Sequence, residues 1–173
     1  MDDSYKQLLS YYMIGLVAVA VLVLCLPLLP SALTIRDKEN KIIWAKGVAG
    51  EGFTVSFTHS ANKGQVTESY RFLEHNKFTL SEGTFESYGA GMLDQLPNNV
   101  TMEDNGDNLL LHFPEQPVGE LDIIPGEIAS QVLVGNGYSV NLSQISAYEQ
   151  IKISRENMTL LQLFLVNALN TSH

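Results

Sequence analysis

The 173-residue sequence has one cysteine, Cys25, few charges (17% of residues) and no internal repeat or low-complexity stretch. With a single thiol there is no intrachain disulfide, so cysteine pairing does not reveal the compartment. Ten basic residues against 19 acidic ones leave a net charge of -9. That balance excludes a nucleic-acid-binding surface, which needs cations opposite the phosphates. Metal-ligand spacing is also missing: no Cys or His pair lies at zinc-site distance, and His75 and His112 are remote from His59. There is no G-x-S-x-G elbow to present a serine nucleophile, and no long amphipathic helix interrupts the middle of the chain.

What is present begins with an uncharged run, "YYMIGLVAVAVLVLCLPLL", residues 11–29. About 20 apolar residues suffice to cross a bilayer core as a helix, so this stretch is expected to be a single-pass membrane anchor rather than a buried core helix. "LLPSALT" is a poor signal-peptidase context, with Pro30 two positions before Ala32, and Leu24 is too bulky before Cys25 for lipoprotein processing. The anchor is therefore expected to stay uncleaved. Orientation is contested: Lys6 precedes the run while Arg36, Lys38 and Lys41 follow it, which taken literally places the remainder in the cytoplasm. Sequons at Asn99, Asn141, Asn157 and Asn170 argue for the opposite side.

After a charged linker (30–41), short β-type runs separated by Asn, Gly and Pro predict an all-β domain over 42–154, a single sandwich or partly open barrel of antiparallel strands. Asn105-Gly106 and Asn136-Gly137 mark two-residue hairpin turns. Asn157 is expected to cap a short helix in 155–173, too short to span a membrane, which either covers a sheet face or lies at the lipid interface.

The stretch "FTVSFTHSANKGQVTESYRF", Phe53 to Phe72, carries the candidate chemistry. Alternation places Phe53, Val55, Phe57 and His59 on one strand face, and Val66, Glu68, Tyr70 and Phe72 on the corresponding face of the next strand. Odd register slips would set phenylalanines against threonines, so an even register is required. His59 and Glu68 are then expected to be directly opposed or diagonal, within hydrogen-bonding reach. Three uses stay open: a polar clasp closing an apolar face, a ligand or anion site, or catalysis. Ser60 points away from His59 while the strand continues, which weakens a nucleophile reading and suits a turn residue. In "ESYGAGM", Gly89 and Gly91 permit a sharp bend or a close backbone approach around Ala90. "EDNGDN" misses the calcium-loop spacing and reads as a solvated hairpin.

Taken in order, "IIW", "FTVSFTHS", "VTES" and "FESYGAGM" make the chain similar to the small membrane-associated family called domain of unknown function 1850, chiefly over Ile43 to Gly91. The resemblance carries over His59, Ser60, Val66, Glu68, Ser87, Gly89, Ala90 and Gly91 as signature positions. With Tyr70 and Tyr88 added as neighbours, these mark the candidate docking or ligand site; no catalytic or metal residue is assigned and no cofactor is expected. The sequence departs from the family pattern in lacking a proline soon after Gly91 and in having Gln65 before Val66. Members have no established activity and are commonly encoded beside membrane components of tripartite ATP-independent periplasmic transporters. The resemblance thus implies a non-enzymatic accessory or docking subunit, anchored in the cell membrane with its β-domain extracytoplasmic. Its partner would be the transporter's membrane component or its solute-binding protein. The alternative is an extracytoplasmic ligand sensor or hydrolase using the face of His59 and Glu68.

Overall fold

The structure, a computed structural model, describes residues 3–26, 31–59, 63–86, 97, 99–106 and 108–170. The expected anchor run 11–29 lies, as far as Cys25, in helix α1, Asp3–Cys25, which begins eight residues before it and takes in most of the stretch expected as an N-terminal tail (1–10); the side chains from Ser4 to Cys25 are exposed. The helix's 22-residue stretch Ser4–Cys25, with an 18-residue window of mean hydropathy 2.5, is long and apolar enough to cross a membrane.

Beyond it the chain builds two antiparallel sheets. β1 (Ala32–Arg36), β2 (Ile42–Gly47), β8 (Glu120–Ile123) and β11 (Ile151–Glu156) form a four-stranded sheet in the order β2-β1-β11-β8. The second sheet has seven strands: β3 (Gly52–Thr58), β4 (Gln65–Phe72), β5 (Phe78–Phe85), β6 (Thr101–Asp104), β7 (Leu109–His112), β9 (Val132–Gly135) and β10 (Tyr138–Asn141). Their order is β10-β9-β3-β4-β5-β7-β6. Inward residues of both sheets, among them Leu33, Ile35, Ile151 and Ile153 on one side and Phe53, Val55, Tyr70, Phe78 and Leu133 on the other, form one core. The result is a sandwich and not a closed barrel, as the spacing of short strands and turns implies.

The predicted linker is only partly a linker. β1 occupies the middle of its sheet, with Leu33 and Ile35 fully buried, because the charges that suggested a linker are concentrated in the turn between β1 and β2. There the Asp37 carboxylate accepts from the amides of Glu39 and Lys41, both at 2.9 Å. β5 is bent by a bulge where Ser81 Oγ donates to the Ser69 carbonyl at 2.9 Å.

The Asn136-Gly137 hairpin is present, with Gly137 at φ 78°. The other turn is displaced by one residue. The Asn105 amide donates to the Asn108 carbonyl at 3.0 Å, so Gly106, at φ 83°, takes the first corner rather than the second. A four-residue helix, α2 (Leu142–Ile145), follows β10 and is capped by Asn141.

The C-terminal helix α3 (Leu160–Asn170) is capped by Thr159 and not Asn157. Thr159 Oγ1 accepts from the Gln162 amide at 3.1 Å, while Gln162 Oε1 accepts from the Thr159 amide at 2.9 Å, a reciprocal capping box. The helix packs on the outer face of the four-stranded sheet: Leu163 and Val166 lie against Ala32, Ala45 and Met158, where small strand residues leave room for a helix. It therefore covers a sheet face, one of the two placements expected for it.

Candidate functional site: the Glu68 cleft

The hairpin β3-β4 keeps the even register that its alternation demands. Phe53 pairs with Tyr70, Val55 with Glu68 and Phe57 with Val66. His59, however, comes opposite Gly64, with its amide donating to the Gly64 carbonyl at 2.9 Å and its carbonyl accepting from the Lys63 amide at 3.0 Å. Glu68 is four positions farther along β4, about 13 Å away at a rise of ~3.3 Å per residue. The expected contact between His59 and Glu68 is thus corrected. Pairing continues to Thr58 and Gln65, and opposing His59 to Glu68 would sacrifice those ladder bonds to a longer loop.

Glu68 lies between apolar or side-chain-free neighbours, Val55 on β3 and Gly83 on β5. Among the described residues, the one hydrogen-bond partner of its carboxylate is the Tyr70 hydroxyl, which donates to Oε2 at 2.7 Å. Tyr70 is held rigidly. Its ring stacks on Phe53 (centroids 4.9 Å, interplanar 9°) and meets Phe78 edge-on at 5.8 Å. A Cβ on Gly52 would run into the Tyr70 carbonyl, so the backbone beneath the ring requires glycine there. Burial raises the Tyr70 pKa well above that of an ordinary phenol, and the adjacent Glu68 charge and its accepted hydrogen bond add to this. The phenol is therefore a fixed neutral donor.

The pair opens onto a cleft of about 370 Å³ between the sheets, lined by Val55, Phe57, Glu68 and Tyr70 from one side and by Leu121 to Ile124 and Gln131 from the other. Its walls are β3 and β4 on one side and β8 with the segment after it on the other. Ile124 at its rim is 65% exposed. The unused acceptor capacity of Glu68, in a cleft that Asp122 and Gln131 also line, suits a ligand group that donates hydrogen bonds or carries positive charge.

Of the sequence candidates, Glu68 and Tyr70 come together and His59 stands apart. Ser60, Ser87, Tyr88, Gly89, Ala90 and Gly91 lie outside the described residues. The strand ends that lead into them are described: β3 ends and β4 begins at one end of the sheet, and β5 reaches the same end, where Glu86 Oε2 accepts from the Gln65 amide at 2.8 Å. His59 and Glu86 therefore leave the sheet two strands apart, about 10 Å at a strand spacing of ~4.8 Å.

Sequence reasoning missed a more strongly bonded carboxylate. Glu156, on the outer face of the four-stranded sheet, accepts from Arg36 Nε at 2.8 Å and Nη2 at 2.7 Å, and from Thr34 Oγ1 and Ser154 Oγ at 2.9 Å each. Its pKa falls to about 2, chiefly through the Arg36 hydrogen bonds, which outweigh the effect of burial; bonds from Ser154 and Thr34 add to the fall. No local pattern announces this network, because its partners are about 120 residues apart in sequence. On the outer face of the other sheet, His112 lies between Glu82 (3.5 Å) and Glu103 (3.6 Å), brought there by the pairing of β7 with β5 and β6. No group of three His, Cys, Asp or Glu able to hold a metal occurs among the described residues.

Residues 53–142, just over half of the chain, match the family described as Domain of unknown function (DUF1850). The chain belongs to the DUF1850 family. No curated protein and no solved structure matches it. The DUF1850 match runs from β3 through β10 and so contains the seven-stranded sheet apart from Gly52, together with β8 and the Glu68 cleft. α1, β1, β2, β11 and α3 lie outside the matched span, and the Glu156 network lies there with them.

Proposed function

We propose that this DUF1850 chain is a membrane-anchored binding module, an accessory or docking subunit of a secondary solute transporter of the tripartite kind, with its sandwich on the extracytoplasmic side. The observation that carries the reading is the arrangement itself: an exposed, membrane-length apolar helix joined by a few residues to a rigid sandwich. A non-enzymatic role is supported by the separation of His59 from Glu68 and by the inert, high-pKa phenol that is the carboxylate's neighbour. The link to a transporter rests on the family resemblance.

Purification of the tagged full chain from native membranes in mild detergent tests it. The transporter's membrane component or its solute-binding protein is expected to co-purify, and repeated recovery of the chain without either overturns the reading. Sidedness has its own test, a cysteine at Asn105 in a Cys25→Ala background. Labelling by an impermeant thiol reagent in intact cells is expected; labelling only after lysis reverses the assignment.

The Glu68 cleft favours a second reading, a sensor for a small ligand with a cationic or hydrogen-bond-donating group. Calorimetry with simple alkylamines and guanidines, comparing the parent with Glu68→Gln, separates the two. Binding that is lost in Glu68→Gln favours the sensor, whereas no binding leaves docking as the function.

A further inference from the structure

α3 is apolar on two opposite sides. Leu163 and Val166 face the sheet, while Leu161, Phe164, Leu165 and Leu169 point outward, with Phe164 69% and Leu169 72% exposed. At 100° per residue the positions 161, 164, 165 and 169 fall within one arc opposite 163 and 166, so the exposed residues form a continuous stripe. No charged residue occurs in the helix, and its two polar side chains with described bonds turn inward on the backbone: Gln162 in the capping box and Asn167, whose Nδ2 donates to the Leu163 carbonyl at 2.9 Å.

Topology fixes where this stripe stands. Ala32, the first residue of β1, pairs with Glu156, the last residue of β11. The chain therefore arrives from α1 and departs toward α3 at the same end of the sheet, on its two central strands. Six residues separate Cys25 from Ala32, a reach of no more than about 25 Å at ~3.5 Å per step. α3 also approaches α1, with Cα atoms of the two helices within 8 Å of each other.

We infer that the outward stripe of α3 is a second membrane contact, lying in the interface of the bilayer that α1 enters. The inference rests on the reading of α1 as an anchor. It makes the sandwich a body held at two points, with the four-stranded sheet toward the lipid and the seven-stranded sheet turned away. The stripe takes a neutral lipid interface, because α3 offers no lysine or arginine to anionic headgroups and the chain as a whole carries -9.

The test uses the full chain with Cys25→Ala, reconstituted in phosphatidylcholine vesicles and labelled with a bimane at one introduced cysteine. Phe164→Cys and Leu169→Cys report the stripe, Val17→Cys reports the anchor, and Glu103→Cys on β6 is the water-exposed control. Strong quenching by lipids bearing a nitroxide near the headgroup is expected at both stripe positions, with aqueous iodide at least threefold less effective there than at the control. Adding phosphatidylserine is expected not to strengthen the lipid quenching. Iodide quenching at the stripe equal to the control, with Val17→Cys still lipid-quenched, overturns the inference and leaves the anchor standing. Loss of lipid quenching at Val17→Cys as well overturns both. Protection of the stripe from lipid nitroxide and iodide alike means that a second copy covers it, which also overturns the lipid assignment.

Discussion

Glu156 and Glu68 are both half-buried glutamates on strands of the same sandwich, yet their surroundings differ in kind. Glu156 receives four hydrogen bonds, two of them from one guanidinium, whereas Glu68 receives a single one from a neutral phenol. Burial alone does not separate a carboxylate that holds a fold from one left available to a partner. The supply of donors does, since a carboxylate has about four acceptor positions to satisfy. The saturated one lies outside the segment matched to the family and joins the first and last strands of the domain; the unsaturated one lies inside it and faces a cleft.

The comparison breaks most visibly at Arg36. Arg36→Leu removes both guanidinium bonds and leaves Glu156 charged, and the loss of stability is expected to be about 2 kcal/mol, reduced from fully buried pairs because both side chains are partly exposed. The parent has a matching pH dependence. Its Glu156 pKa lies at about 2 against an ordinary 4.5, so the network's stabilisation is complete above about pH 4.5 and is lost as pH falls toward 2. After allowance for solvent screening this amounts to about 1 to 2 kcal/mol, and acid titrations of thermal unfolding are expected to show a shallower slope in Arg36→Leu.

A smaller effect is expected at the other carboxylate. Tyr70→Phe removes the described donor to Glu68, yet the carboxylate can hydrate through the open cleft, so the cost is about 1 kcal/mol by thermal melts. A loss as large as that of Arg36→Leu would mean that the cleft is closed to water. Smallest of all is the coupling between His59 and Glu68. At about 13 Å their substitutions to Gln are expected to add, with a coupling below ~0.5 kcal/mol in a double-mutant cycle. A coupling above about 1 kcal/mol would restore the contact that the register excludes.

The register shows where sequence reading stops. Alternation of Phe, Val and Tyr with Ser and Thr reveals strand identity and parity, because a one-residue slip reverses every side chain. It does not reveal how far along the strand pairing begins. That offset depends on how tightly the chain closes between His59 and Gly64, and it moved Glu68 from beside His59 to opposite Val55. β1 was hidden for a different reason: "ALTI" is continuous with the apolar run before it and the charged turn after it, so nothing local separates a central strand from a tether. The cap two residues past Asn157 has a local signal, the T-x-x-Q spacing of Thr159 and Gln162 that forms the capping box. Glu156 and Arg36 needed the completed sheet, since no local pattern joins residues 120 positions apart.

The most direct test compares the same substitution at both carboxylates. Trp44 is the single tryptophan and sits 5.5 Å from Tyr138 at the edge of the core, so its fluorescence follows unfolding of the sandwich in the full chain held in detergent. Urea titrations of Glu156→Gln and Glu68→Gln are expected to show a loss of about 2 kcal/mol for the first and less than about 1 kcal/mol for the second. Equal losses, or a larger loss at Glu68, would contradict the division between a carboxylate that holds the fold and one that is free to bind.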